Sequence, residues 1–271
     1  VTGPTAAFGV VLAPVVSRFG LSGLLTAGLM AGLLLVGMGA ARLGRLVEFI
    51  PHPVTTGFTA GIATVIALLQ VKDLLGLHVA RMPERFPQKV AAMWAARGSA
   101  DSSALAVAAA TLALLLLAPR VTRRVPAPLL ALGTVALAVW AAGVPVDTLA
   151  TRFHTSVGGR DIAGIPPLPP TLQLPWGTSG LTFRLVEKLL PAAFTIAMLG
   201  AIESLLSAVI ADGMTGKRHD PDAELVGQGL ANIAAPFFGG IAATGAIART
   251  ATNIRAGARS PLAATVHALV V

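Results

Sequence analysis

The chain has 271 residues, of which 55% are hydrophobic and only 12% charged, about half the charge density of soluble globular chains (roughly 25%), which excludes an ordinary water-facing domain. With no cysteine, disulfides, thiolate metal sites and cysteine nucleophiles are excluded. The net charge of +8 sits in short clusters between long uncharged runs rather than over one polar face, which excludes a nucleic-acid partner.

In chain order, residues 1–17 come first, an apolar but short stretch. A helix is predicted over about 5–17, with Thr2 able to cap it and Pro4 suited to its first turn. Uncharged runs follow at 21–41, 53–71, 102–119 and 125–146. Each approaches the roughly 20 residues a spanning helix needs. Lipid offers no partner to a backbone N–H or C=O, so these runs read as transmembrane helices. Residues 77–101 are predicted to hold a short interfacial helix around 87–97. Residues 144–186 are rich in Pro and Gly, including Ile165-Pro166-Pro167-Leu168-Pro169-Pro170. Those prolines forbid regular helix and predict an extended surface segment between two structural halves. A fifth apolar run, 189–211, is interrupted only by Glu203. Residues 225–248 are uncharged but contain Pro236 and Gly239-Gly240, so one straight helix is not expected. A last apolar run covers 260–271.

The arginine and lysine clusters orient the chain. Arg42 and Arg45, then Arg120, Arg123 and Arg124, then Lys217 and Arg218, then Arg255 and Arg259 all fall on one side if the crossings alternate. The positive-inside rule makes that side cytoplasmic. Residues 77–101 oppose this, with Arg81, Arg85, Lys89 and Arg97 on the outer side against Glu84 and Asp101.

Two interrupted segments are the candidate site. Val1-Thr2-Gly3-Pro4-Thr5-Ala6-Ala7-Phe8 and Ala243-Thr244-Gly245-Ala246-Ile247-Ala248-Arg249-Thr250 each place Thr-Gly before a short helix, the second predicted over about 246–256 with Thr244 able to cap it. Helix N-termini expose unpaired N–H groups and a partial positive charge. Two such termini facing each other make an anion site, and paired Gly/Pro-interrupted segments point to a transporter's midplane site. The plainer reading is two ordinary helices with irregular starts. Glu203 stands in Ala201-Ile202-Glu203-Ser204-Leu205-Leu206-Ser207, with Ser207 on its helix face. An ionisable group inside a membrane helix binds ions, relays protons or pairs with a countercharge, which here would be Arg249. Gly177-Thr178-Ser179-Gly180 matches an intramembrane-protease serine motif but lies in the polar loop beside Pro175 and Trp176. His219, Asp220, Asp222 and Glu224 resemble a metal cluster but read as a solvated loop with an acidic helix start. Gly28-x-x-x-Gly32 reads as helix packing.

These residues resemble a known family. Val1-Thr2-Gly3-Pro4-Thr5-Ala6-Ala7-Phe8, Gly44-Arg45-Leu46-Val47-Glu48-Phe49-Ile50-Pro51, Val54-Thr55-Thr56-Gly57-Phe58-Thr59-Ala60-Gly61-Ile62, Ala197-Met198-Leu199-Gly200-Ala201-Ile202-Glu203-Ser204-Leu205-Leu206, Glu224-Leu225-Val226-Gly227-Gln228-Gly229-Leu230-Ala231-Asn232 and Ala248-Arg249-Thr250-Ala251-Thr252-Asn253 resemble the SulP family of anion transporters. Within it the likeness is to the bacterial branch that imports C4-dicarboxylates such as succinate and fumarate. The resemblance implies an all-α polytopic inverted-repeat fold of seven plus seven segments, of which this chain covers about segments 3 to 11. Residues 1–48 would belong to the core domain and 49–146 to the gate domain. Residues 147–186 would form an extracytoplasmic loop and 187–271 the rest of the core, with the STAS domain absent. It places the anion between Thr5, Ala6 and Ala7 on one side and Gly245, Ala246, Ile247 and Ala248 on the other; Arg249, in the first turn of the second half-helix, would either add positive charge to that site or neutralise Glu203. It places ion coupling at Glu203 and Ser207. No cofactor is implied; the coupling ion would be a proton, with sodium as the alternative. The expected partners are a small anion, the lipid bilayer of the bacterial inner membrane and a second copy of the chain. Bicarbonate or sulfate transport is the nearest alternative substrate reading. An anion channel uses the same site without a closing gate, and a membrane enzyme acting through Glu203 would need a second catalytic group that the sequence does not offer.

Overall fold

The computed structural model describes every residue except 46–51, 81, 84, 123–124, 158–159, 165–169 and 271. Most of the proline run at 165–170 and the charges Arg81, Glu84, Arg123 and Arg124 therefore lie outside the described residues. The chain divides into two compact units, residues 1–59 with 169–271, and residues 60–168.

In the first unit, α1 (Ala6–Ala40) contains one non-helical residue, Gly20 at φ 68° and ψ −173°. Only glycine adopts that conformation readily, so α1 is two arms, 6–19 and 21–40, hinged at Gly20. The first arm rises about 21 Å at 1.5 Å per residue, short of the roughly 30 Å hydrocarbon layer. It runs two residues beyond the predicted 5–17, because Arg18 is exposed and the backbone turns only at Gly20. Neither Thr2 nor Pro4 starts it. Thr2 and Gly3 form the strand β1, and the N-cap is Thr5.

The helix α7 (Phe183–Thr215) is capped by Thr182, whose side chain accepts from Leu185, and stops at left-handed Gly216. The helix α8 (Pro221–Ala234) starts at Asp220, whose carboxylate accepts from the amides of Asp222 and Ala223. That assigns the acidic group at 219–224 to a helix start. After α8 comes a 3-10 turn, Ala235–Phe238, and left-handed Gly239. The chain then runs through β4 (Thr244–Gly245) into α9 (Ile247–Arg255) and, further on, α10 (Leu262–Val270). Residues 225–248 are thus broken where Pro236 and the glycine pair predict.

The core of this unit interleaves both arms of α1 with α7 and α8. Phe8, Leu12, Leu24, Leu35, Leu189, Ile196, Leu205 and Leu225 are all buried in one cluster. Small residues set the helix spacing. A Cβ on Gly32 would stand 2.7 Å from the Gly229 carbonyl oxygen, and one on Gly229 would stand 2.7 Å from the Val36 amide nitrogen. The two backbones touch there, which is how helices gain packing energy when the surroundings are as apolar as they are.

In the second unit, α2 (His52–Leu74) leads in from the first. The helix α3 (Phe86–Ala95) occupies the predicted 87–97 region and ends in a 3-10 turn, Ala96–Ser99. Asp101 caps α4 (Ser102–Val121), which packs on α5 (Ala127–Ala142). The uncharged run 125–146 predicts a longer helix than is present. Pro126 delays its start and left-handed Gly143 ends it, leaving about 24 Å of rod. Residues 144–186 are less extended than the proline content predicts. Thr148 and Thr151 form a reciprocal capping box on α6 (Leu149–Arg152). The strands β2 (His154–Val157) and β3 (Arg160–Ala163) then pair antiparallel, with His154 opposite Ala163. Arg152 bonds Asp73 at 2.6 Å and ties α6 back to α2.

Among the described residues three helical stretches are long and apolar enough to cross a membrane, residues 11–40, 102–121 and 183–215. Outward leucines such as Leu112, Leu116, Leu132 and Leu137 are more than half exposed, as surfaces that face lipid are.

Candidate anion site at two helix starts

The two interrupted segments meet. β1 (Thr2–Gly3) pairs antiparallel with β4, Thr2 opposite Gly245 and Gly3 opposite Thr244. Each strand runs on within three residues into a helix, so α1 and α9 leave one point in opposite directions. Arg249, in the first turn of α9, donates from Nη2 to the Pro4 carbonyl at 3.0 Å. The second half-helix thus holds the start of the first.

One face of α7 supports both starts. Residues 200, 203, 204 and 207 recur at helical spacing, and each touches an interrupted segment. The Thr5 hydroxyl donates to Glu203 Oε2 at 2.8 Å. Ser207 Oγ donates to Thr250 Oγ1 at 3.2 Å. Thr244 Oγ1 donates to the Gly200 carbonyl at 3.1 Å, lies 3.0 Å from Ser204 Oγ, and Ser204 Oγ accepts from the Gly245 amide at 3.0 Å. Each hydroxyl carries one proton, so the direction is determined. The Gly245 N–H donates to Ser204, Ser204 donates to Thr244, and Thr244 donates to Gly200. Thr244 is therefore part of a buried relay and does not cap α9, whose N-cap is Ala246. Gly245 is required by contact, because a Cβ there would lie 2.9 Å from the Ser204 Cα and 3.1 Å from the Ser207 Cβ.

A second clamp comes from α8. Asn232 donates to the Ala243 carbonyl at 2.8 Å and accepts from the Ala243 amide at 2.8 Å; Gln228, one turn earlier, donates to the same carbonyl at 2.6 Å. Both amide side chains are buried. They satisfy the backbone that would otherwise be bare at membrane depth. Sequence reasoning assigned no role to Gln228, Asn232, Ser204 or Thr250. The available signal is amide side chains four residues apart in the uncharged run 225–248, and a serine beside Glu203.

The predicted donors are now separable. The Gly245 amide is held by Ser204, and the Ala246 amide donates to the Val1 carbonyl at 2.9 Å. The amides of Ile247, Ala248 and Arg249 have no acceptor among the described residues; the first α9 amide to find one is Thr250, which donates to Ala246. In α1 the amides of Ala6 and Ala7 precede the first turn closed by Phe8 donating to Thr5. Three consecutive N–H groups without an acceptor among the described residues, at a helix start beside a second helix start, are an arrangement able to receive an anion. Glu203 is buried, with 6% of its surface exposed, and makes no ion pair with Arg249 among the described residues; it takes the Thr5 hydroxyl while Arg249 takes the Pro4 carbonyl. The alternative of a Glu203–Arg249 structural pair is therefore replaced by two separate attachments to the start of α1.

The whole chain, residues 1–271, matches the sulfate permease family. It is 44% identical over 271 residues to "Putative sulfate transporter YvdB" of Bacillus subtilis (strain 168), covering 99% of this chain and 48% of that protein. It is 30% identical over 287 residues to the bicarbonate transporter BicA of Picosynechococcus sp., covering 99% of this chain and 46% of that protein. The chain spans about half the length of the curated relatives it matches. The solved transmembrane domain of a cyanobacterium bicarbonate transporter BicA aligns with a TM-score of 0.78 at 28% identity, covering 100% of this chain and 67% of that one. The SLC26A9 structure shares the fold, with a TM-score of 0.71 at 17% identity, covering 100% of this chain and 44% of that one.

Proposed function

We propose, since this chain belongs to the sulfate permease family, that it serves in a multi-pass secondary transporter for small inorganic oxyanions, sulfate or bicarbonate, in a bacterial inner membrane. The observation that carries this is the row of unpaired amides at Ile247, Ala248 and Arg249 beside the start of α1, with Glu203 one hydroxyl away through Thr5. The curated relatives named above carry the names of a putative sulfate transporter and a bicarbonate transporter, which favours inorganic oxyanions over the C4-dicarboxylates that the sequence likeness suggests.

Coupling would run through Glu203. Thr5 is at once the N-cap of α1 and the donor to this carboxylate. Protonation of Glu203 removes a negative charge from beside the anion while leaving a carboxyl oxygen to which Thr5 still donates. Proton uptake and anion binding then support each other by linkage. The core, residues 1–48 and 187–271, would alternate access against a gate of residues 49–146.

The test is uptake by the full-length protein in proteoliposomes, with labelled sulfate and bicarbonate under imposed proton or sodium gradients. Saturable uptake of either, driven by a proton gradient and weakly competed by succinate and fumarate, is the expected result. Succinate outcompeting both would overturn the substrate assignment, and accumulation that follows sodium alone would overturn proton coupling.

A further inference from the structure

A cleft lined by cationic side chains lies away from the two helix starts. A cleft of about 750 Å³ opens where the second arm of α1 ends and α8 begins, lined by Arg42, Arg45, Arg218, His219, Asp220 and Asp222 together with the end of α1. Its size falls within the range of small-molecule sites. All of it belongs to the first unit.

The charges here sort into two groups. The acidic and imidazole groups are occupied in holding the walls. Asp222 Oδ1 accepts from the Gly44 amide at 2.9 Å, which joins the two sides of the cleft. Asp220 Oδ1 accepts from the Asp222 and Ala223 amides at 3.0 and 3.1 Å. His219 donates its backbone N–H to Asp212 Oδ2 at 3.0 Å, and its ring Nδ1 lies 2.7 Å from the same oxygen. The three arginines are different. All are exposed, and none makes a side-chain hydrogen bond or ion pair among the described residues. Arg42 also has a φ of 59°, the one non-glycine residue in the left-handed region among those described. Such conformations cluster where a side chain must be aimed.

We infer that this cleft binds a phosphate-bearing anion, held by the guanidinium forks of Arg42, Arg45 and Arg218. Arginine is the side chain matched to phosphate, by shape as well as charge. The depth suits such a ligand. Arg42 lies just past the end of α1 and Arg218 just past the end of α7, where membrane helices leave the hydrocarbon for the headgroup layer on the side that the arginine clusters make cytoplasmic. Glu203 lies twelve residues before the end of α7, about 18 Å along its axis. The cleft and the transport site are therefore separate, and this inference does not rest on the transport reading. The phosphate could belong to a soluble molecule or to an acidic lipid headgroup.

The experiment uses the full-length protein, wild type and with Arg42→Gln and Arg218→Gln combined. One arm measures the thermal shift with inorganic phosphate in neutral detergent. The other compares the melting temperature in bilayers of phosphatidylglycerol and of phosphatidylcholine. The expected result is stabilisation in at least one arm that the double variant loses, while without phosphate and in phosphatidylcholine its melting temperature equals that of the wild type. Stabilisation by phosphate alone assigns a soluble ligand, and stabilisation by phosphatidylglycerol alone assigns a headgroup. Stabilisation that survives the double variant, or that disappears in an Ile247→Pro variant, would place the phosphate elsewhere and overturn the inference. No stabilisation in either arm would overturn it as well.

Discussion

The Thr5 hydroxyl donates a 2.8 Å hydrogen bond to Glu203, a residue 198 positions later in the chain. This single contact joins the start of one half-helix to the Glu203 carboxyl of α7. It links the charge state of Glu203 directly to the N-cap of α1. Glu203→Gln keeps the shape and an acceptor for Thr5 but cannot release or take up a proton. The variant is expected to stay folded and to bind the anion, and to lose accumulation driven by a pH gradient. Proteoliposome uptake with and without the gradient checks this; pH-driven accumulation at the wild-type level would remove Glu203 from coupling.

Ser204 passes the Gly245 proton bond on to Thr244 and so to Gly200. Ser204→Ala leaves the buried Gly245 amide without an acceptor and Thr244 without its donor. An unsatisfied buried donor costs about 1–3 kcal/mol, so a clear fall in thermal stability is expected in calorimetry of the purified protein. A Ser207→Ala change cuts only a link to the half-buried Thr250 and should be the milder of the two.

The Ala243 clamp predicts an order of effects. Asn232→Leu removes both the donor to the Ala243 carbonyl and the acceptor of its amide, whereas Gln228→Leu removes one donor to a carbonyl that Asn232 still satisfies. Asn232→Leu should therefore lower the melting temperature more. Equal losses would mean that the clamp does not act as the hydrogen bonds indicate.

Arg249 donates to the Pro4 carbonyl and bridges the two helix starts. Arg249→Ala should weaken anion affinity through loss of positive charge and of this tie, about tenfold for one charged hydrogen bond of 1.5 kcal/mol. Arg249→Lys keeps the charge without the planar fork and should fall between. Anion affinity of both variants by isothermal titration checks the order, and an unaltered affinity in Arg249→Ala would count against a binding role.

Much of this architecture can be read from residues, because its causes are local. Runs without charge give the helices, Pro236 with Gly239-Gly240 gives the break before β4, and Gly20 divides α1. The pairing of the two starts is foreshadowed by the repeated Thr-Gly, but its form is not. Two-residue strands joined across more than 240 positions leave no periodicity to detect, and a Thr before a short helix reads equally as a cap. Ser204 was hidden for a related reason. Serine in a membrane helix commonly satisfies itself on its own helix, and only the neighbouring segment reveals that it accepts from Gly245. The paired strands 154–157 and 160–163 are obscured by the prolines further along the segment, which dominate its composition without reaching either strand.

The most direct test of the helix-start anion site is the affinity of the full-length Ile247→Pro protein for its anion. Ile247 is the first residue of α9, where proline fits the helix and deletes one unpaired N–H. Ala246 before it already has the extended conformation, φ −90° and ψ 101°, that proline requires of its predecessor. The account predicts an unchanged melting temperature and an affinity weakened about tenfold or more, the effect of one hydrogen bond to a charged group. Wild-type affinity in this variant would contradict it.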